Sequence, residues 1–228
     1  MNKSLKIILI VVVSLLIVYF AIKGILLYAY NNTIVENDAY LMDLKESFDN
    51  NEQMNVITTN LESDEYYTFD DINFINLNME VETTSNEVNF LSNGETIISV
   101  NVSDSNLVDQ VKDEDHYFLN NLLEDENITT DYELLKFIVN NYNKDVNILS
   151  SIKTLREATE INTETKIIMN SSTNIMDITG SLDGYVLVMN DGVIMASLTN
   201  NDKYYDITFY DYNLTEVNEF LNTIYFTN

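Results

Sequence analysis

The chain contains no cysteine, no proline and no tryptophan, and only one histidine, one arginine and five glycines in 228 residues. Each scarcity closes a class of chemistry. Without cysteine there is no disulfide, no thiolate metal site and no lipidated cysteine to serve as an anchor. The single histidine, His116, cannot by itself build the multi-ligand sites that hold structural zinc, and any histidine-based nucleophilic triad would have to use it. Five glycines supply neither a phosphate-cradling loop nor a Gly-x-Ser-x-Gly elbow.

Positive charge is scarce too. Eleven Lys and Arg stand against 37 Asp and Glu, a formal net charge of -26. Nucleic acid is bound through a cationic footprint, so no nucleic-acid partner is expected. A surface of this sign also repels anionic headgroups and acidic wall polymers. The acids are scattered rather than grouped, so they are read first as solubilising charge. The chain is nonetheless 46% hydrophobic, with 15 Tyr and 10 Phe, enough to fold one domain of ordinary size rather than stay disordered.

The most prominent feature present is an apolar run. From Ile7 to Ile22 the only polar member is Ser14. About 20 such residues cross a hydrocarbon core of roughly 30 Å. The run reaches that length by continuing past Lys23 through Gly24 to Tyr30, with the Lys23 stem able to reach the headgroups. Tyr28 and Tyr30 fall where interfacial aromatics concentrate. Lys3 and Lys6 precede the run, while the acids begin at Glu36. Basic residues favour the cytoplasmic side, so the expected topology is amino terminus inside and carboxyl-terminal domain outside. A cleaved secretory signal has a shorter apolar core, about 7–15 residues, and a small-x-small cleavage site. Here only Leu27-Tyr28-Ala29 approaches one, and an uncleaved anchor is favoured over a secreted protein. A disulfide-free outer domain, absent proline, the lone Arg156 and abundant Asn, Ile and Tyr point to a prokaryote with AT-rich coding.

Three segments are expected: a cytoplasmic tip and transmembrane anchor over 1–30, a polar stalk over 31–63, and an extracytoplasmic α+β domain over 64–228. The stalk holds one helical stretch with Ala39, Leu41, Met42, Leu44 and Phe48 on a weak apolar face. Between Tyr66 and Ser103 the period is two. Its phase slips at Phe74–Ile75, which calls for a bulge or a strand break there. Ser92-Asn93-Gly94 supplies a hairpin turn.

Asp104 to Asn162 reads as helical. Thr130-Asp131-Tyr132-Glu133 forms a capping box ahead of Leu134, Leu135, Ile138 and Tyr142, and a second helix carries Ile148, Ile152 and Leu155. A shorter helix is expected around His116–Leu123. Strands return at Thr165–Met169, Tyr185–Met189, Val193–Leu198 and Lys203–Tyr210, with turns at Asn190-Asp191-Gly192 and Asn200-Asn201-Asp202. A capping signal at Asn213-Leu214-Thr215-Glu216 opens a last helix burying Leu214, Val217, Phe220, Leu221 and Ile224. The expected fold is α+β, a mainly antiparallel sheet covered by helices as an α/β/α sandwich, preceded by one transmembrane helix.

Lys203-Tyr204-Tyr205-Asp206-Ile207-Thr208-Phe209, followed by Glu216 to Phe226, resembles the final strand and helix of the PsbP/Mog1-like α/β/α sandwich. Tyr66 to Val81 is more weakly similar to that family's opening hairpin. The resemblance implies a sandwich over roughly Tyr66–Phe226 and a largely non-catalytic group of assembly factors and binding modules. It carries packing positions and no catalytic residue.

No constellation of residues marks an active site, and no catalytic, cofactor-binding or metal-ligating residue is assigned. Asp113-Glu114-Asp115-His116 is read as an acidic helix start rather than a metal site. Asp177–Gly184 and Asn200–Asp206 miss the alternating register of a calcium loop. Glu124-Asp125-Glu126 reads as a solvated helix end. Carboxylate pairs for glycoside hydrolysis carry no specificity when 37 acids are present. The tyrosines at 66–67, 204–205, 210 and 212 are either sheet packing or an aromatic binding face. The expected function is a non-catalytic binding or accessory module of the cell envelope, with membrane lipid as one partner and a protein or envelope component as another. An envelope hydrolase using acidic residues is the alternative.

Overall fold

Two sheets with helices on them make up the computed structural model, which describes residues 3–34, 39–59, 65–113, 117–169 and 172–227. In chain order, α1 (Lys3–Thr33) and α2 (Ala39–Asn50) precede β1 (Gln53–Val56). Then come β2 (Tyr66–Phe69), β3 (Ile72–Ile75), β4 (Glu80–Thr83), β5 (Glu87–Ser92) and β6 (Glu95–Ser103). The middle is helical: α3 (Leu107–Asp113), α4 (Tyr117–Asp125), α5 (Asp131–Asn141) and α6 (Ile152–Met169). The last part holds β7 (Ser172–Gly180), β8 (Gly184–Met189), β9 (Ile194–Asn200), β10 (Lys203–Phe209), α7 (Leu214–Leu221) and β11 (Tyr225–Phe226).

The large sheet runs β1-β7-β8-β9-β10-β6-β5-β4, and the small one β11-β3-β2. Every pairing is antiparallel except β1 with β7. The class is therefore α+β with a mostly antiparallel mixed sheet.

Strand alternation sends side chains to two cores. Met176, Val186, Ala196, Leu198, Tyr205, Ile207 and Phe209 join one cluster with Val217, Phe220 and Leu221 of α7 and with Phe69, Ile72 and Phe74 of the small sheet. Their neighbours Ile175, Tyr185 and Leu187 point the other way, into a cluster with Leu41, Leu44 and Phe48 of α2 and Leu135 and Val139 of α5. Both faces of the central strands are thus covered.

Local chemistry sets the boundaries. At α5 the Glu133 amide donates to the Thr130 hydroxyl and the Thr130 amide to the Glu133 carboxylate, the reciprocal cap expected from the sequence. Asn213 and Glu216 do the same for α7. Asn93 and Gly94, with φ of 54° and 82°, close the β5–β6 hairpin in left-handed conformations. The phase slip after Phe74 is a strand break: β3 ends at Ile75 in the small sheet, and the chain resumes as β4 at the edge of the large one.

Four expectations are corrected. The 31–63 stretch is not merely a stalk, because α2 buries Leu41, Leu44 and Phe48 and β1 hydrogen-bonds to β7. Thr165–Met169 is the end of α6, not a strand. Ile161 and Thr165 are buried at helical spacing, and the Thr165 hydroxyl donates to the Ile161 carbonyl one turn back. The strand comes later, as β7. Ile148 precedes α6 rather than lying in it and is exposed. The last helix stops at Leu221, after which Tyr225 and Phe226 pair with Asn73 and Ile72. His116 lies outside the described residues.

At the other end, Ile10–Thr33 is long and apolar enough to cross a membrane, with a mean hydropathy of 2.7. Every described residue from Ile10 to Ile22 is exposed. Burial begins at Lys23 and recurs along one helical stripe, Leu26, Leu27 and Tyr30, which packs with Val146, Leu155 and Ala158.

The α2 packing yields a test. Leu44→Ala should lower the unfolding free energy by about 2–5 kcal/mol, the cost of emptying a closed core site. Denaturant titration of the full chain in detergent measures it, and an unchanged midpoint would return α2 to the role of a stalk.

Candidate functional site

The sheet register assembles a row of polar side chains from four consecutive strands. Asp177 of β7 stands opposite Tyr185 of β8, Tyr185 opposite Ser197 of β9, and Ser197 opposite Asp206 of β10. Alternation puts all four on the face that α2 and α5 cover. The start of α5 descends onto this row and leaves a cavity of about 300 Å³. Its walls include Thr130, Asp131, Tyr132 and Glu133 from the helix start, and Asp177, Asp183, Tyr185, Ser197 and Tyr204 from the sheet. No Lys, Arg or His is among its lining residues.

Gly184 shapes the sheet side. Its φ is +152°, and a Cβ there would run into the Ser197 carbonyl, so only glycine lets β8 and β9 approach at this point.

The carboxylates of Asp131 and Glu133 make the helix start unfavourable to an anion. The cap uses the Thr130 and Glu133 amides, and the Asp131 carboxylate accepts from the Val108 amide at 3.1 Å, tying α5 to α3. One polar group stays unused: the Tyr132 hydroxyl is buried with no hydrogen-bond partner among the described residues. Its ring lies 5.4 Å from that of Phe48.

Burial raises Asp131, Asp177 and Asp206. It pushes the Asp131 carboxyl above its ordinary range, against the Leu107 and Val108 amides that hold it down, while the charges of Asp206 and Asp109 add to the rise. Asp206 is raised by burial and partly restrained by its hydrogen bond with Ser197. Asp177 is raised by burial and by the charge of Asp183. Tyr185, 4% exposed, is held in its neutral form by burial and by Asp131 and Asp206. Acidic groups are therefore packed around a hollow with aromatic walls, opposed at Asp177 by the nearby charge of Lys136.

None of these residues was assigned a role from the sequence. Asp177–Gly184 was weighed as a cation loop, and its two acids do reach the cavity, although as wall residues. Among the described residues no group of three or more His, Asp or Glu is placed to hold a metal ion. Of the tyrosines considered as a binding face, Tyr204 lines the cavity. Tyr205, Tyr67 and Tyr212 pack in or against the main core. Tyr66 stacks edge-on against Tyr225, and Tyr210 is exposed. Glu124, Asp125 and Glu126 are solvent-exposed at the end of α4. A second polar cluster is structural. Lys203 reaches Asp70 at 2.6 Å and Asp71 at 3.0 Å, and Tyr205 donates to Asp70, so the β2–β3 turn is tied to β10.

Compared with known proteins, the chain matches no family model, no curated protein and no solved structure.

The raised Asp206 has a stability consequence with a definite sign. A carboxyl whose folded pKa is raised stabilises the fold fully below its ordinary value of 3.8, and that contribution is lost as pH climbs through the raised value. Asp206→Asn should therefore raise the melting temperature at pH 7. The gain over the parent should shrink to nothing below about pH 4, where the parent carboxyl is protonated as well. Thermal unfolding of both chains between pH 3 and 7 reads this directly.

Proposed function

We propose that this is a single-pass, membrane-anchored protein of a prokaryotic cell envelope, with α1 as an uncleaved anchor, its amino terminus cytoplasmic and the α+β body outside. The body serves as a non-catalytic binding module that takes a cationic group in the cavity under α5. The carrying observation is the cavity wall: Asp131, Glu133, Asp177 and Asp183 with three tyrosines and no base.

Low-dielectric walls of one sign concentrate field, so the hollow favours an amine or guanidinium and repels phosphate or carboxylate. Tyrosine faces add cation–π attraction, and the idle Tyr132 hydroxyl can accept from an N–H donor. About 300 Å³ has room for an aliphatic amine or a basic side chain, at the lower end of small-molecule sites. The anchor is supported by thirteen consecutive exposed residues, Ile10 to Ile22, with only Ser14 clearly polar. In water such a surface would be costly. The PsbP/Mog1-like sandwich is supported by β10 followed by α7 and by helices on both faces of the central strands. It would agree with a binding role.

A hydrolase is the second possibility, and one observation favours it. Burial holds both Asp131 and Asp206 toward the protonated form, and the charge of Asp206 adds to the rise at Asp131. A general acid needs that condition.

Calorimetric titration of the full chain in neutral detergent with spermidine tests the binding role. Asp131→Asn combined with Asp183→Asn should weaken binding at least about tenfold. Equal affinity in parent and variant would remove the cavity from consideration. Cleavage of an envelope polymer by the parent and not by Asp131→Asn would make the hydrolase the better description. Orientation has its own test: proteinase K added to intact cells should remove the body and leave α1 protected. A body degraded only after lysis would reverse the topology.

A further inference from the structure

The body starts where the lipid-facing run stops. Ile22 is the last residue of the wholly exposed apolar stretch, and Lys23, the next, is 3% exposed. No spacer separates membrane helix from domain. Leu26 and Leu27, one turn further and about 6 Å along the axis, pack with Val146 in the loop before α6. Tyr30 donates its hydroxyl to the Lys144 carbonyl of that loop at 2.7 Å, while Lys166, near the far end of α6, reaches the Asn32 carbonyl. Leu155 and Ala158, early in α6, cluster with Leu26, Leu27 and Tyr30, and the Lys166–Asn32 contact lies further along both helices, so α6 runs in the same sense as α1 and its start faces the apolar end of α1.

At the tip of that loop stand Ile148 and Leu149, 37% and 81% exposed. Leu149 is the most exposed large hydrophobic among the described residues, and its exposure is awkward for a group in water. On the free side of α1, Ile25 and Tyr28 extend an apolar surface to the same level.

The local charge differs from that of the whole chain. Lys144 to Arg156 carries three bases and one acid, Asp145, within a protein of net charge -26. Glu157, just behind, is buried and paired with Lys153. An apolar tip with basic residues around it is the composition that settles into a bilayer interface, the greasy side chains below the headgroups and the ammonium groups among them.

We propose that Ile148 and Leu149 insert into the outer interfacial layer of the bilayer crossed by α1, so that the 144–151 loop is a second membrane contact and fixes the tilt of the body over the surface. This rests on the anchor proposed above, and the test separates the two. The chain has no native cysteine, so Leu149→Cys and Ile17→Cys each carry one thiol for an environment-sensitive fluorophore. The full-length proteins are reconstituted into phosphatidylcholine vesicles containing one-third phosphatidylglycerol, with and without lipids bearing a shallow or deep nitroxide quencher.

The residue 149 label should lose at least about half its emission to the shallow quencher and less to the deep one, whereas the residue 17 label should respond mainly to the deep one. Quenching at 17 without quenching at 149 overturns the insertion and leaves the anchor standing. Absence of quenching at both overturns the anchor itself. A blue-shifted label at 149 that no lipid quencher reaches means protein covers the tip, for example a second copy of the chain, and also overturns the insertion.

Discussion

The antiparallel register of β8, β9 and β10 is the constraint on which the rest of this protein depends. With Leu198 opposite Tyr205 and Ala196 opposite Ile207, one face of the three strands presents only apolar groups to α7 and the small sheet. The same register places Ser197 opposite both Tyr185 and Asp206 on the other face. A slip of one residue would turn Asp206 into the apolar core and Ile207 toward the cavity, which burial energetics forbid. Phe209, Ile207 and Tyr205, each completely buried, hold the register in place. The polar row is carried along by the apolar face that fixes it.

The cavity follows from what that register leaves on the second face. Helices α2 and α5 close most of it with Leu44, Phe48, Leu135 and Val139. Where α5 begins, its first turn is committed to its own cap and cannot fill the space with apolar side chains. The result is a hollow walled by carboxyls and phenols, in which burial raises Asp131 and Asp177. Polar groups of this kind weaken a fold unless a ligand satisfies them, which supports the cationic ligand proposed for the hollow.

Much of the secondary structure was legible because its signals are local. The caps at Thr130 and Asn213, the Asn93-Gly94 and Asn190-Asp191-Gly192 turns and the alternation from Lys203 to Phe209 each rest on residues within about one turn or one strand. The misreadings share one cause. Thr165–Met169 is β-branched and passes for a strand, yet Ala158, Ile161 and Thr165 are committed to a helical face by a partner helix that the local pattern does not reveal. The 31–63 stretch looks like a stalk because the apolar face of α2 is weak, and its buried residues Leu41, Leu44 and Phe48 are spent on α5 and on strands far along the chain. Tyr225 and Phe226 continue a helical pattern but are captured by β3.

By itself the sequence determined that one apolar helix precedes an acidic α+β body, that cysteine and zinc-thiolate chemistry are absent, and where most strands and caps fall. These properties are set by composition and by neighbours along the chain. Tertiary structure alone decided which acids meet. Asp131, Asp177 and Asp183 are ordinary scattered carboxylates in one dimension, and only strand pairing under a particular helix start gathers them around one cavity. It likewise decided that α1 docks onto α6 and sets an exposed leucine beside its apolar end. Such contacts join separate elements of the chain, as Asp131 with Asp177 or Tyr30 with Leu155, and no periodicity of neighbouring side chains encodes such a meeting.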